Sequence, residues 1–184
     1  IRSSPPSLIL LDLELPDGSH VQDDTSLSLA ACGQSTITAT VTIPADQLRD
    51  ARSIYNLSFT SQNDPTISDT ITLTAKTHAP VLLVEQQIWY KNIEPYTQTL
   101  TSLGLPYDIF RSQTSTQIPS LTVLKNYPIV IWTTGYNWYN PVSPAGEKNL
   151  TQYLEQGGRL LLSSQDLLDL AGDAQFVQER LGVM

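Results

Sequence analysis

Pro80-Val81-Leu82-Leu83-Val84 is the stretch that decides the fold. It is an unbroken apolar run of strand length, with no polar residue on either side of the pleat. A strand of that kind has both faces covered, which points to a parallel sheet between layers of helix. The residues downstream keep to that plan. A helix is predicted from about 93 to 103: Pro95 suits its first turn, Tyr96, Leu100 and Leu103 share a face, and Gly104 is a stop. Tyr107 to Phe110 reads as a short second strand, and Leu121 and Leu124 mark a short helix ending near Tyr127-Pro128. Ile129-Val130-Ile131-Trp132 is a third, buried strand. Ser143-Pro144 opens a helix that carries Leu150, Tyr153 and Leu154 and stops at Gly157-Gly158. Arg159 to Leu162 gives a fourth strand, and helical segments follow around Leu167 to Ala171 and Phe176 to Leu181. Alternating strands and helices with short loops imply right-handed crossovers and a parallel sheet. The simplest strand order is 2-1-3-4, part of a doubly wound sheet.

Upstream of the linker Thr77-His78-Ala79-Pro80 the pattern is different. In Ser35 to Ile43, Ile37, Ala39, Val41 and Ile43 alternate with Thr36, Thr38, Thr40 and Thr42, which predicts a half-buried strand. Tyr55, Leu57 and Phe59 alternate with polar residues, as do Ile71, Leu73 and Ala75. Leu8 to Leu15 is a further strand, ended by Pro16-Asp17-Gly18, and Cys32-Gly33-Gln34 and Asn63-Asp64-Pro65 are turn signals. Several short strands with this punctuation predict an antiparallel β-sandwich over residues 1–78, followed by an α/β domain over 79–184.

The bulk numbers suit two folded domains in 184 residues. The net charge of −8 gives an acidic surface that repels phosphates and anionic lipid, so no nucleic acid is expected as partner. There is no run of 18 apolar residues for a membrane span, and no membrane insertion is expected. The single cysteine, Cys32, can make neither an internal disulfide nor a metal site alone, and reads as a buried or half-buried small side chain. The chain begins at Ile1 without a charged and apolar leader. It ends in Arg180-Leu181-Gly182-Val183-Met184, which suggests the start of another strand. It is expected to be an excerpt of a longer polypeptide, with the α/β domain incomplete at its carboxyl end.

Two stretches carry a family resemblance. Thr38 to Ala45 together with Thr60 to Thr74 resembles the immunoglobulin-like modules strung along secreted bacterial surface proteins and peptidases. Val81 to Glu85, Ile129 to Gly135 and Gly157 to Asp166 resemble the glutamine-amidotransferase-like, flavodoxin-like α/β domain that accompanies such modules. The resemblance implies an extracellular or cell-surface location, with neighbouring domains of the same polypeptide as partners. The departures bear on activity. Amidotransferases of this fold set a Cys in a strand-to-helix turn and pair it with a His, and residues 80 to 184 contain neither.

The other chemistries are also poorly supplied. Ser163 or Ser164 could be a nucleophile, but the only histidines are His20 and His78, so a base would have to lie outside this chain. The alternative is that both serines end a strand and help to cap the next helix. Asp64 with Asp69, or Glu85 with Asp166, could hold calcium weakly, although solvated carboxylates are the simpler reading, and no metal is expected. Glu85-Gln86-Gln87 offers no glycine cradle for a phosphate, and no cofactor is expected. Asn56-Leu57-Ser58 and Asn149-Leu150-Thr151 match the glycosylation sequon, a pattern common by chance.

The informative feature is aromatic. Trp89-Tyr90 follows the first strand of the α/β domain, and Tyr136-Asn137-Trp138-Tyr139-Asn140 follows the third. In the order 2-1-3-4 these strands are neighbours, so both loops lie at the carboxyl edge where such sheets bind ligands. Glu85, Gln165 and Asp166 fall at the same edge. Aromatic faces beside amides and carboxylates suit a carbohydrate ring or a peptide. The alternative is that the loops pack against the sandwich or a neighbouring domain. Trp132, within its strand, is expected in the core. The reading is a non-catalytic accessory region, with the sandwich as spacer and the α/β domain as binding or docking surface. Its rivals are a hydrolase with an external base and a purely structural stalk.

Overall fold

The computed structural model describes residues 9–21, 25–30, 32–86, 92–114, 116–139, 141–171 and 175–183. Contacts divide the chain into two compact units, Ile1–Thr77 and His78–Met184.

The first unit holds two antiparallel pairs. Strand β1 (Leu10–Glu14) pairs with β2 (Thr38–Thr42), and β3 (Arg52–Thr60) pairs with β4 (Ser68–Lys76). Acidic side chains fix two of the expected turns. Asp17 Oδ1 accepts the backbone N–H of Ser19 at 2.9 Å, and the Ser19 hydroxyl donates to the same oxygen at 2.6 Å. Asp64 Oδ1 holds Thr66 in the same way, at 3.1 and 2.6 Å. Such local bonds let a short polar side chain stand in for a backbone turn. The Tyr55 hydroxyl, on β3, donates to the carbonyl of Ile9 at 2.6 Å, and Ile9, Leu15 and Ala75 are buried.

Two expectations fail here. The alternation in 35–43 does produce strand β2, but every residue of β2 is exposed, Ile43 is exposed too, and only Ile37 is half-buried. Alternation sets the backbone geometry of a strand, whereas burial also needs a layer laid over it. Cys32 is exposed rather than buried. It sits in a tight turn, with φ of 59°, where Gly33 N–H donates to the Ala30 carbonyl at 2.8 Å. A residue at such a turn projects into solvent.

The second unit is α/β. Its strands are β5 (Val81–Glu85), β6 (Tyr107–Arg111), β7 (Ile129–Gly135) and β8 (Arg159–Ser164). Its helices are α1 (Glu94–Ser102), α2 (Leu121–Leu124), α3 (Pro144–Glu155) and α4 (Leu167–Ala171), and a π-helical turn spans Phe176–Arg180. All strand pairs are parallel and the sheet order is β6-β5-β7-β8, the 2-1-3-4 order expected. Every residue of β5 is buried, as its apolar run requires. Val81, Leu83 and Ile131 face one way and meet Ile93 and Leu100 at α1. Leu82, Val84, Val130 and Trp132 face the other way, against Leu124 of α2 and Leu150 and Tyr153 of α3. Helices therefore cover both faces of the sheet. The Ser120 and Ser143 hydroxyls accept N–H groups of the first turns of α2 and α3, each at 3.3 Å. Gly157, with φ of 85°, follows the end of α3. No helix among the described residues is long and apolar enough to cross a membrane.

Candidate functional site

The carboxyl edge of the parallel sheet has a natural opening among the described residues. Helix α1 leaves β5 over one face, and α3 leaves β7 over the other. β5 and β7 are neighbours, so the chain diverges between them. Open α/β sheets take ligands at that divergence, because the two departing loops leave a gap above the strand ends. A crevice of about 230 Å³ occupies this edge. Among the described residues, one wall is Asn92, just before α1, with Pro95 and Tyr96 of its first turn; the other is Thr133 and Gly135 of β7, the following Tyr136, and Ser163 of β8.

The end of β7 is shaped for the opening. Its pairing with β8 slips between Thr133 and Gly135, and Gly135 has φ of 50°, a conformation glycine adopts without strain. A bulge at a strand end turns the chain and re-aims the next side chains. The loop that follows is held by its own backbone. Asn137 N–H donates to the Thr134 carbonyl, and Trp138 N–H to the Tyr136 carbonyl, each at 2.9 Å. Asn137 is buried, while Tyr136, Trp138 and Tyr139 are exposed. Trp138 and Tyr139 meet edge to face, with ring centroids 6.0 Å apart.

The residues expected at this edge fare differently. Tyr136 lines the crevice, and Trp138 and Tyr139 extend the same loop. Trp89 and Tyr90 lie outside the described residues. Glu85 is at the edge but is buried and paired: its Oε2 lies 3.1 Å from Arg111 Nε, and Arg111 is half exposed. Its charge is spent within the sheet. Gln165 is exposed and Asp166 is half-buried beyond β8, and neither lines the crevice. Trp132 is fully buried. The residues missed were Asn92 and Tyr96. Their signal was positional, since the first turn of the helix after the first strand borders the divergence point in any sheet of this order. Beside the Glu85–Arg111 pair, Ser112 donates its N–H to the Glu85 carbonyl at 3.0 Å, while its buried hydroxyl has no hydrogen-bond partner among the described residues.

The arrangement does not assemble a hydrolase from described residues. Ser164 Oγ accepts from Thr134 Oγ1 at 2.9 Å. His78, the histidine of this unit, lies at the opposite, amino edge, where its Nδ1 is 3.1 Å from the Tyr127 hydroxyl. Tyr127 donates in turn to Asp108 Oδ2 at 3.2 Å, and that oxygen also accepts the Ala79 N–H at 2.8 Å. The length of β5 separates the two ends, roughly 16 Å at ~3.3 Å per residue. A general base must reach hydrogen-bond distance of its nucleophile, so His78 cannot serve Ser163 or Ser164. His20, in the other unit, is paired with Asp12 at 2.9 Å. Asp69 Oδ1 is engaged by Thr70 N–H at 2.8 Å, and no group of three or more potential metal ligands occurs among the described residues. No protein-family model, no curated protein and no solved structure matches this chain.

Proposed function

We propose that this chain is a non-catalytic accessory region of a secreted or cell-surface bacterial protein, of the kind that includes secreted peptidases. The first unit is an immunoglobulin-like spacer. The second is a flavodoxin-like, glutamine-amidotransferase-like domain that has no catalytic Cys or His and serves as a binding or docking surface. The observation that carries this reading is the crevice at the sheet's carboxyl edge, flanked by a loop that presents Tyr136, Trp138 and Tyr139 outward on a backbone-bonded turn. Large aromatics held exposed on a fixed loop favour contact with a ligand over a purely structural role. The separation of His78 from the two serines favours binding over hydrolysis.

Tryptophan fluorescence tests the reading, because Trp138 is exposed and Trp132 is a buried internal reference. Titration with soluble oligosaccharides and peptides is expected to give a saturable change that is absent in a folded Trp138→Ala variant. A flat titration with every ligand, or turnover of an ester substrate lost in Ser164→Ala, removes the reading.

A further inference from the structure

The walls of the crevice indicate what it takes, given the binding role proposed above. Asn92, Tyr96, Thr133, Tyr136 and Ser163 bring one amide and four hydroxyl groups, and no lining residue among the described ones carries a charge. Ser163 is half-buried near the end of β8. Hydroxyl and amide groups both donate and accept, as the hydroxyls of a sugar do. Tyr136 adds an exposed aromatic face at the mouth.

Anionic and peptidic ligands fit less well. The start of α1 does not offer the usual row of N–H donors to an anion. Pro95 has none, the Tyr96 and Thr97 N–H groups both donate to the Ile93 carbonyl at 3.0 and 3.1 Å, and Glu94 adds a negative charge. The chain's net charge of −8 repels acidic ligands further. A peptide needs main-chain partners, yet the N–H groups of Gln86, Asn137 and Trp138 are already bonded within the fold.

We infer that the crevice between α1 and the ends of β7 and β8 binds a neutral sugar, with a pyranose ring stacked on Tyr136 and hydrogen-bonded by Ser163 and the neighbouring side chains. Trp138 and Tyr139 lie exposed, edge to face, on the same loop.

The test is saturation-transfer NMR and calorimetry on the whole chain. The probes are glucose, N-acetylglucosamine, cellotriose and chitotriose, set against galacturonate and triglycine. At least one neutral sugar is expected to bind, with Kd raised about tenfold in Tyr136→Ala, the size of one aromatic contact, and several-fold in Ser163→Ala. Far-UV circular dichroism and the emission of buried Trp132 check that both variants are folded. Binding of galacturonate or triglycine alone, sensitive to Tyr136→Ala, overturns the neutral-sugar inference and leaves the binding module standing. Sugar binding unchanged in both variants overturns the location. No binding by any probe overturns the inference and the proposed binding function together.

Discussion

Trp132 donates its indole N–H to Gln86 Oε1 at 2.8 Å, and both side chains are fully buried. The bond joins the middle of β7 to the residue that follows β5, at the base of the sheet's carboxyl edge. Replacing Gln86 by Leu strands a buried donor, which costs about 1–3 kcal/mol. A double-mutant cycle with Trp132→Phe is expected to show a coupling of about 1 kcal/mol between the two positions in urea unfolding followed by circular dichroism. Additive losses would mean that the bond contributes nothing.

Arg111→Met is expected to destabilise the second unit by up to ~3 kcal/mol, the low end for breaking a buried ion pair, because Arg111 is half exposed and Glu85 is not. Adding Glu85→Gln to that variant should recover part of the loss by removing the uncompensated charge. Chemical denaturation of the single and double variants checks both statements.

Gly158 stands against the ring of Tyr153: a Cβ placed there would lie 2.3 Å from Tyr153 Cζ. The ring has little freedom to yield. Its hydroxyl donates to the Tyr127 carbonyl at 3.0 Å and accepts the Arg159 N–H at 3.2 Å, and burial raises its pKa above the usual tyrosine value. Gly158→Ala is expected to cost about 1–3 kcal/mol, the range for overpacking. Thermal melting should register this as a fall of several degrees, at roughly 4–8 °C per kcal/mol for a domain of this size.

The turns of the first unit carry a pH signature. The Ser19 hydroxyl, then its N–H, holds the Asp17 carboxyl below the ordinary aspartate value of 3.8, and Thr66 does the same for Asp64. A carboxyl whose folded pKa is depressed contributes stability above its unfolded value and loses it as pH falls through the folded one. The first unit is therefore expected to weaken on acidification below about pH 4, and Asp17→Asn with Asp64→Asn should flatten that dependence. All three tryptophans lie in the second unit, so far-UV circular dichroism of the full chain is the appropriate readout.

Much of the second unit is legible in the sequence because its signals are local. The apolar runs at 81–84 and 129–132, the Ser-Pro start of α3 and the glycines after it each act over a few residues, and alternation with helices leaves few topologies. The first unit is less legible. Alternation in 35–43 identifies β2, but nothing local says whether another layer covers it. The same gap explains Cys32, whose turn conformation overrides the preference of a small thiol for the interior. At the site, the loop from Tyr136 to Tyr139 could be placed because it follows a recognisable strand. Glu85 lies at the expected edge, and its pairing with Arg111 depends on strand register, which no local signal gives. Val81–Glu85 and Tyr107–Arg111 run parallel in register, so Glu85 and Arg111 end neighbouring strands as opposite charges. Asn92 and Tyr96 required knowing which helix turn borders the opening, a tertiary fact.

The slip in pairing between Thr133 and Gly135 also separates two design problems. The irregularity is absorbed inside β7, and the loop beyond is anchored by buried Asn137 and its bond to the Thr134 carbonyl, which leaves Tyr136, Trp138 and Tyr139 as outward positions that can change without disturbing the sheet. Repertoires of loop sequences could be grafted there while β5, β7 and β8 keep their register, which makes this edge a scaffold for selecting new binding specificities.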